Sequence, residues 1–177
     1  LENGKPYFER RGMNAEELIS PIGVDGKTRF PDNSFDFIFS EQVLEHVENL
    51  HLVAAEMKRV GGHRASGLHL FPAQRQLVEG HLFMPLIHWL PKNKLRWALI
   101  YLFVLLGKGP EYEHVQGKNK WQRSWIYYQG NISTSFYRRY RDVGKTFEQE
   151  SFVVRFVTID TPKLKRIPLF NQVTAIK

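Results

Sequence analysis

PDNSFDFIFSEQVLEHVENLHLVAAEMKRV, residues 31–60, changes its hydrophobic period halfway along. The first half, FDFIFS, is a short apolar run bounded by the turn formers Pro31, Asp32, Asn33 and Ser34. That is the expected appearance of a strand buried on both faces of a parallel sheet. In the second half Val43, Val47, Leu50, Ala54 and Met57 recur at steps of four and three, and Leu44, Val53 and Val60 widen the stripe. This spacing predicts an amphipathic helix packed on the sheet. Ser40, Glu41 and Gln42 lie between the two, at the C-terminal end of the strand, which is the edge where open α/β sheets bind ligands.

Phe30 to Asp36, then Ser40, then Val43-Leu44-Glu45-His46-Val47 resemble the class I S-adenosylmethionine-dependent methyltransferases, of the type 11-like kind. In that family an FPDNSFD turn leads into the fourth strand and a vLEHV segment follows it. Asp25-Gly26 resembles the acidic turn after the family's third strand, beside the adenine. Gly61-Gly62 resembles the "PGG" turn before the fifth strand, shortened here because the usual Leu-Lys-Pro is absent. The resemblance spans roughly residues 22 to 72 and weakens beyond them. It implies an α/β, Rossmann-like three-layer sandwich and S-adenosyl-L-methionine as cofactor, with Asp25, Gly26, Ser40, Glu41 and Gln42 as cofactor-binding residues. The family's glycine-rich loop and its ribose-holding acid have no counterpart in this sequence. The expectation is therefore one partial domain over residues 1–177, N-terminally truncated and without the cofactor-loop unit.

The bulk properties agree with a folded domain. At 177 residues with 42% hydrophobic and 14% aromatic content, the chain is large enough for one real core. It has no cysteine, which excludes disulfides and thiolate metal sites. No signal peptide is visible, because charged residues fall within the first ten and no apolar core follows. The expected location is cytoplasmic, with peripheral membrane association as the second option. A net charge of +7 points to an anionic partner. The basic residues are dispersed except in Arg138-Arg139-Tyr140-Arg141 and Lys163-Leu164-Lys165-Arg166. With no nucleic-acid-binding motif present, a solvated basic face is favoured over nucleic acid.

Along the chain, Asn14 caps a short helix at 15–19, and Asp25-Gly26-Lys27 is a turn. ASGLHLF, residues 65–71, reads as the next strand, with Pro72 closing it. Residues 73–130 are expected to form a helical lid insertion. Within it LRWALIYLFVLL, residues 95–106, is too short to span a bilayer and contains Arg96. The expected packing stripe of that helix is Leu95, Leu99, Leu102 and Leu106, with Pro85 to Trp89 facing the pocket. An interfacial helix flanked by Lys92, Lys94 and Lys108 is the alternative. Trp121, Trp125, Tyr127 and Tyr128 read as an aromatic cluster folding the lid down. Ser133 to Ser135 offers the cap of a helix carrying Phe136, Tyr137, Tyr140 and Val143 and ending at Gly144. SFVVRFVTI is then a strand, and Asn171 to Lys177 is a last strand, antiparallel to it as in the family.

Methyl transfer from a sulfonium is an in-line displacement that needs alignment and electrostatics, and an oxygen or nitrogen acceptor also needs a base. His46 and His69 are the expected catalytic residues, with His81 and His88 as further histidine candidates. Phe71, His88 and Trp89 are the expected substrate contacts, and Glu45 is read as structural. No zinc spacing is present. The expected function is methyl transfer to a small or lipid-linked acceptor, probable impairment following from the missing loop. A non-catalytic remnant or binding protein is the alternative, as is a membrane-surface protein using residues 82–108. An uncovered edge on the central strand also predicts self-association.

Overall fold

The computed structural model describes residues 4–72, 74–158 and 173–174. Its first strand, β1 (Phe37–Glu41), pairs in parallel with β2 (Ser66–Leu70), so that Ile38 faces Gly67 and Ser40 faces His69. The two strands are joined through α3 (Leu50–Gly61), giving the βαβ unit that the change of period predicts. Two short helices precede it: α1 (Lys5–Glu9), which the sequence reading left unassigned, and α2 (Ala15–Leu18). Asn14 caps α2 by accepting from the Glu16 amide.

The helix after β1 starts later than expected. Leu44–His46 form a single 3-10 turn, and α3 begins only at Leu50, capped by Asn49 accepting from the Leu52 amide. The stripe is therefore split, with Val43 exposed on the turn and Leu50 and Ala54 buried in the helix. Gly62 ends α3 at φ +66°, its amide donating to the Lys58 carbonyl. The shortened "PGG" turn is thus a helix C-cap that only glycine accepts without strain.

One face of the β1–β2 pair is covered. Leu50 and Ala54 of α3 and Val143 and Phe147 of α6 (Tyr140–Gln149) form a core with Leu44 and Phe71. The opposite face leaves Phe37 and Phe39 about half exposed, at 56% and 52%. Among the described residues the expected three layers are two, and β1 is not buried on both faces. The α/β, Rossmann-like character stands in this partial form.

A second core belongs to α4 (Lys94–Leu105) and α5 (Lys120–Thr134), where Ile100, Val104, Tyr127 and Tyr128 pack with Leu82, Met84 and Ile87. The expected stripe on α4 is overturned except at Leu99, which packs against this core. Arg96, Ile100 and Val104 face inward, whereas Leu95, Leu102 and Leu106 are exposed. A helix apolar all round has no stripe that chooses its rotation. Arg96 chooses it, bonding to the His88 and Leu90 carbonyls and to Oδ1 of Asn131.

The helix expected after Ser133 is also displaced. Those residues end α5, and α6 starts at Tyr140 with Gly144 buried inside it. Of the expected strand SFVVRFVTI, residues 152–156 are irregular and β3 is only Val157–Thr158. It pairs antiparallel with β4 (Val173–Thr174), which lies against β2. The basic segment at 163–166 is outside the described residues.

Candidate functional site at the strand ends

Beyond the C-terminal ends of β1 and β2 the chain crosses itself four times. Gln42, at φ +53°, leaves β1 and donates its amide to the Leu70 carbonyl. The loop 77–86 then folds over as a hairpin, with Leu86 donating to Leu77 and Glu79 to Met84. Phe83 and Leu86 both sit at positive φ, a strain that non-glycine residues accept only where surrounding contacts enforce it. The segment between α5 and α6 completes the site, since Phe136 donates to the Glu45 carbonyl and Gln74 to that of Arg138.

At the centre is Glu79, 0% exposed. Its carboxylate accepts from the Tyr137 hydroxyl at 2.6 Å, from Nδ1 of His81 at 2.9 Å, and from the amides of His81 and Leu82. Burial pushes Glu79 up, but His81, Tyr137 and the Leu82 amide outweigh it and hold the carboxyl below its usual range. Tyr137 is pushed up by burial and by the Glu79 charge. On the far side, Nε2 of His81 lies 3.2 Å from Nε2 of His46, whose Nδ1 meets the Thr134 carbonyl.

A carbonyl only accepts, so Nδ1 of His46 carries hydrogen. Nδ1 of His81 donates to the Glu79 carboxylate, and a hydrogen bond between the two Nε2 atoms requires one proton shared between them. The favoured holder of that proton is His81, which is paired with Glu79. Its pKa is raised, by the Glu79 hydrogen bond first, against burial. Next to this chain Glu45 is 2% exposed with both carboxylate oxygens unpartnered, and burial raises its pKa. The pKa values of these two carboxyls are thus driven in opposite directions, Glu79 down and Glu45 up, the pattern that separates acid from base roles.

The sequence candidates distribute unevenly around this centre. His46 lies in the chain. His69 is buried on the covered face, with Nδ1 2.8 Å from Ser40 Oγ and its ring 5.5 Å from that of Phe147, and burial lowers its pKa to about 4. Ser40 is thereby turned into the core, away from Glu41 and Gln42, which are exposed at the strand end. Asp25 forms a local turn, its carboxylate accepting from the Lys27 amide, and Gly26, at φ +80°, abuts Leu52. Gly26 also lines an apolar groove of about 290 Å³ with Phe37, Phe39 and Met57, along the open edge of β1. His88 and Trp89 share a second cavity, described below, whereas Phe71 is buried against Tyr140. Among the described residues no three His, Asp or Glu side chains gather at metal-binding spacing.

Glu79, Tyr137 and Arg138 were missed. Glu79 left one local sign, a carboxylate two residues before a histidine across a glycine. Tyr137 and Arg138 reach the site from more than fifty residues away and left none.

No curated protein matches the chain. A family described as methyltransferase domain matches residues 10–65, about a third of the sequence, covering α2, β1, the 3-10 turn with Glu45 and His46, and α3. Glu79, His81 and Tyr137 lie outside the match. Over residues 10–65 the chain is similar to this methyltransferase-domain family, which supports a class I S-adenosylmethionine-dependent methyltransferase-like domain there.

Proposed function

We propose that the chain serves methyl transfer to a small or lipid-linked acceptor, with the linked pair His46 and His81 handling the acceptor's proton. The observation that carries this is the continuous hydrogen-bonded path Glu79–His81–His46, which starts directly after the strand that carries the family match. S-adenosylmethionine, when bound, supplies a methyl group on a sulfonium, an electrophile that needs no metal or covalent nucleophile. The residues present fit part of that cofactor. The apolar groove beside Gly26, Phe37 and Phe39 suits a planar base, and Glu41, exposed on the same sheet face as those two phenylalanines, suits a cation. Asp25 and Gln42 are exposed at the two turns, where the Asp25 carboxylate, besides accepting from the Lys27 amide, has acceptor capacity left and the Gln42 side-chain amide can donate or accept.

His81 does its work after the proton it shares with His46 has passed to solvent, to which both rings are open. The two Nε2 atoms then present lone pairs to each other, and an acceptor O–H or N–H that parts the rings is bound by one of these atoms, which takes its proton as the acceptor is methylated. Glu79 keeps Nδ1 of His81 protonated throughout and so keeps Nε2 as the basic atom.

Calorimetry with S-adenosylhomocysteine tests the reading. Weak saturable binding, lost in Glu41→Ala, is expected because the sequence shows no glycine-rich cradle for the carboxylate and ribose. Binding in the low micromolar range would refute the impairment, and no saturable binding would favour a non-catalytic domain.

The exposed face of α4 favours a second reading, contact with a membrane surface. Leu95, Leu102 and Leu106 are exposed, as are Trp121 and Trp125, which stack on each other beside Trp97. No helix among the described residues is long and apolar enough to cross a membrane. Sedimentation with anionic vesicles, lost in Leu102→Asp/Leu106→Asp, would establish this contact. Arg96 is unsuited to that test because it is buried.

A further inference from the structure

Three cations surround one cavity whose wall includes no carboxylate, Glu48 and Glu79 favouring the charged forms of Lys92 and Arg96 only from outside it. An open cavity of about 530 Å³ lies beyond the strand ends, its wall including Gln74, His88, Trp89, Lys92, Arg96 and Arg138. Arg138 gives its terminal N–H groups to the carbonyls of Leu44, Phe136, Val47 and Glu48. Arg96 is held by two carbonyls and the Asn131 amide oxygen. Lys92 donates to the Ile132 carbonyl at 2.6 Å and sits 4.0 Å from the centre of the Phe136 ring. Every one of these partners is neutral. Among the described residues none of the three cations forms an ion pair, although elsewhere Lys5, Arg59 and Arg123 each do.

Gathering like charges in a partly buried site is costly unless an anion compensates. Burial lowers the pKa of all three, and the neighbouring Arg96 lowers Lys92 further. His88 belongs to the same wall and is 3% exposed, its ring nitrogens enclosed near the backbone of Gln74 and Gln76. Burial lowers its pKa against those backbone groups, so His88 adds no further buried charge to the wall.

We propose that this cavity binds a phosphoryl group. The Lys92 ammonium, with two N–H groups uncommitted, is the direct partner. Arg96 and Arg138, their guanidinium groups largely satisfied by carbonyls, supply a fixed positive field. Three cations suit a dianion better than a single carboxylate. Trp89 and Phe136 offer an apolar wall to whatever carries the phosphoryl group. Tyr137 connects the two sites, since it lines this cavity and bonds to Glu79. The proposal rests on the methyl-transfer reading only in making the phosphoryl-bearing molecule the acceptor. Anion binding itself does not depend on it.

Calorimetry of the chain with inorganic phosphate is the test, repeated with Lys92→Gln, an exposed position whose loss leaves the cores intact. One site per chain is expected, weakened at least tenfold in the variant while the melting curve stays unchanged. A parallel flotation assay uses phosphatidylcholine vesicles with and without phosphatidate. Phosphatidate-dependent flotation that inorganic phosphate competes away identifies a lipid headgroup, and phosphate binding without flotation identifies a soluble phosphoester. Absence of saturable binding to both probes, or binding undiminished in Lys92→Gln, overturns the proposal. A chain that binds phosphate but not S-adenosylhomocysteine keeps this site and loses the methyl-transfer reading.

Discussion

The Glu79 carboxylate lies 2.9 Å from Nδ1 of His81, in a position where no solvent reaches the acid and the histidine is half-buried. The pair stabilises the fold in a window bounded on both sides. His81 has a raised pKa, so its contribution is complete below its unfolded value near 6.5 and is lost as pH rises through the raised one. Glu79 has a lowered pKa, so its contribution is present above about 4.5 and is lost as pH falls through the lowered one.

Glu79→Gln should remove the charge that holds the second proton on His81. Nuclear magnetic resonance titration of the histidine ring should show its pKa falling toward the ordinary value of about 6.5. In an active preparation the wild-type rate should rise with pH through the raised His81 pKa, and the variant's ascending limb should shift to lower pH with a smaller plateau. Tyr137→Phe should leave that limb in place and lower stability by about 1.5–3 kcal/mol, the loss of one hydrogen bond to a charged acceptor. An unchanged His81 titration in Glu79→Gln would remove the proposed pairing.

Acid should unfold the domain through two other groups. Glu56 accepts from the Thr28 amide and hydroxyl and from Arg59, and the Arg59 hydrogen bond leads in lowering its pKa to about 2. Its stabilisation is present above about 4.5 and lost as pH falls toward 2. His69, held neutral by burial with a pKa of about 4, stabilises above about 6.5 and is lost as pH falls through 4. Melting temperature should therefore decline steadily below pH 6.5. Glu56→Gln should cost about 2 kcal/mol at neutral pH and flatten the steepest part below pH 4.5. A melting temperature constant from pH 7 to 4 would contradict the His69 assignment, and one that does not fall between pH 4.5 and 2 would contradict that of Glu56.

The sequence made the βαβ unit legible because its two periods are local properties, one of strand and one of helix, with a strong turn between each. Asn14 was readable for the same reason, since a cap acts over three or four residues, whereas Gly62 was placed in a turn by the family resemblance and its role as the cap of α3 came from the fold. The rotation of α4 was not readable. Leucines surround that helix, and the deciding contacts come from Arg96 to residues before the helix and on α5. The candidate site was half legible. His46 could be found beside the strand end, but His69 occupies a strand position of the covered parity, which no pattern in SGLHL distinguishes from the open one. Arg138 sits in a basic run that reads as solvated, and only the fold reveals that its guanidinium ties the 44–48 turn to the 135–138 segment.

Gly62→Ala should test the turn that closes α3. At φ +66° an alanine is strained, and its Cβ would overlap the Asn33 side chain, itself held in the left-handed region at φ 57°. The expected loss is about 1–3 kcal/mol of stability by chemical denaturation. Asn33→Gly in the same background should recover part of it by removing the clash, while the cost of the alanine's own φ remains. A variant as stable as the parent would mean that the turn can be rebuilt without glycine.

The open edge of β1 should make the chain self-associate. Among the described residues β1 pairs only with β2, and Phe35, Phe37 and Phe39 are exposed beside that edge, with the apolar groove running along it. Unpaired strand groups flanked by aromatic side chains template pairing with another chain. Light scattering after size exclusion should show mass rising with concentration at neutral pH. High salt should strengthen the effect, because it screens the +7 charge that keeps copies apart. Phe37→Lys/Phe39→Lys should return the monomer without lowering the melting temperature, since both side chains are on the uncovered face. A concentration-independent monomer that melts cooperatively, with this edge accessible to rapid hydrogen exchange, would show that the edge is tolerated bare.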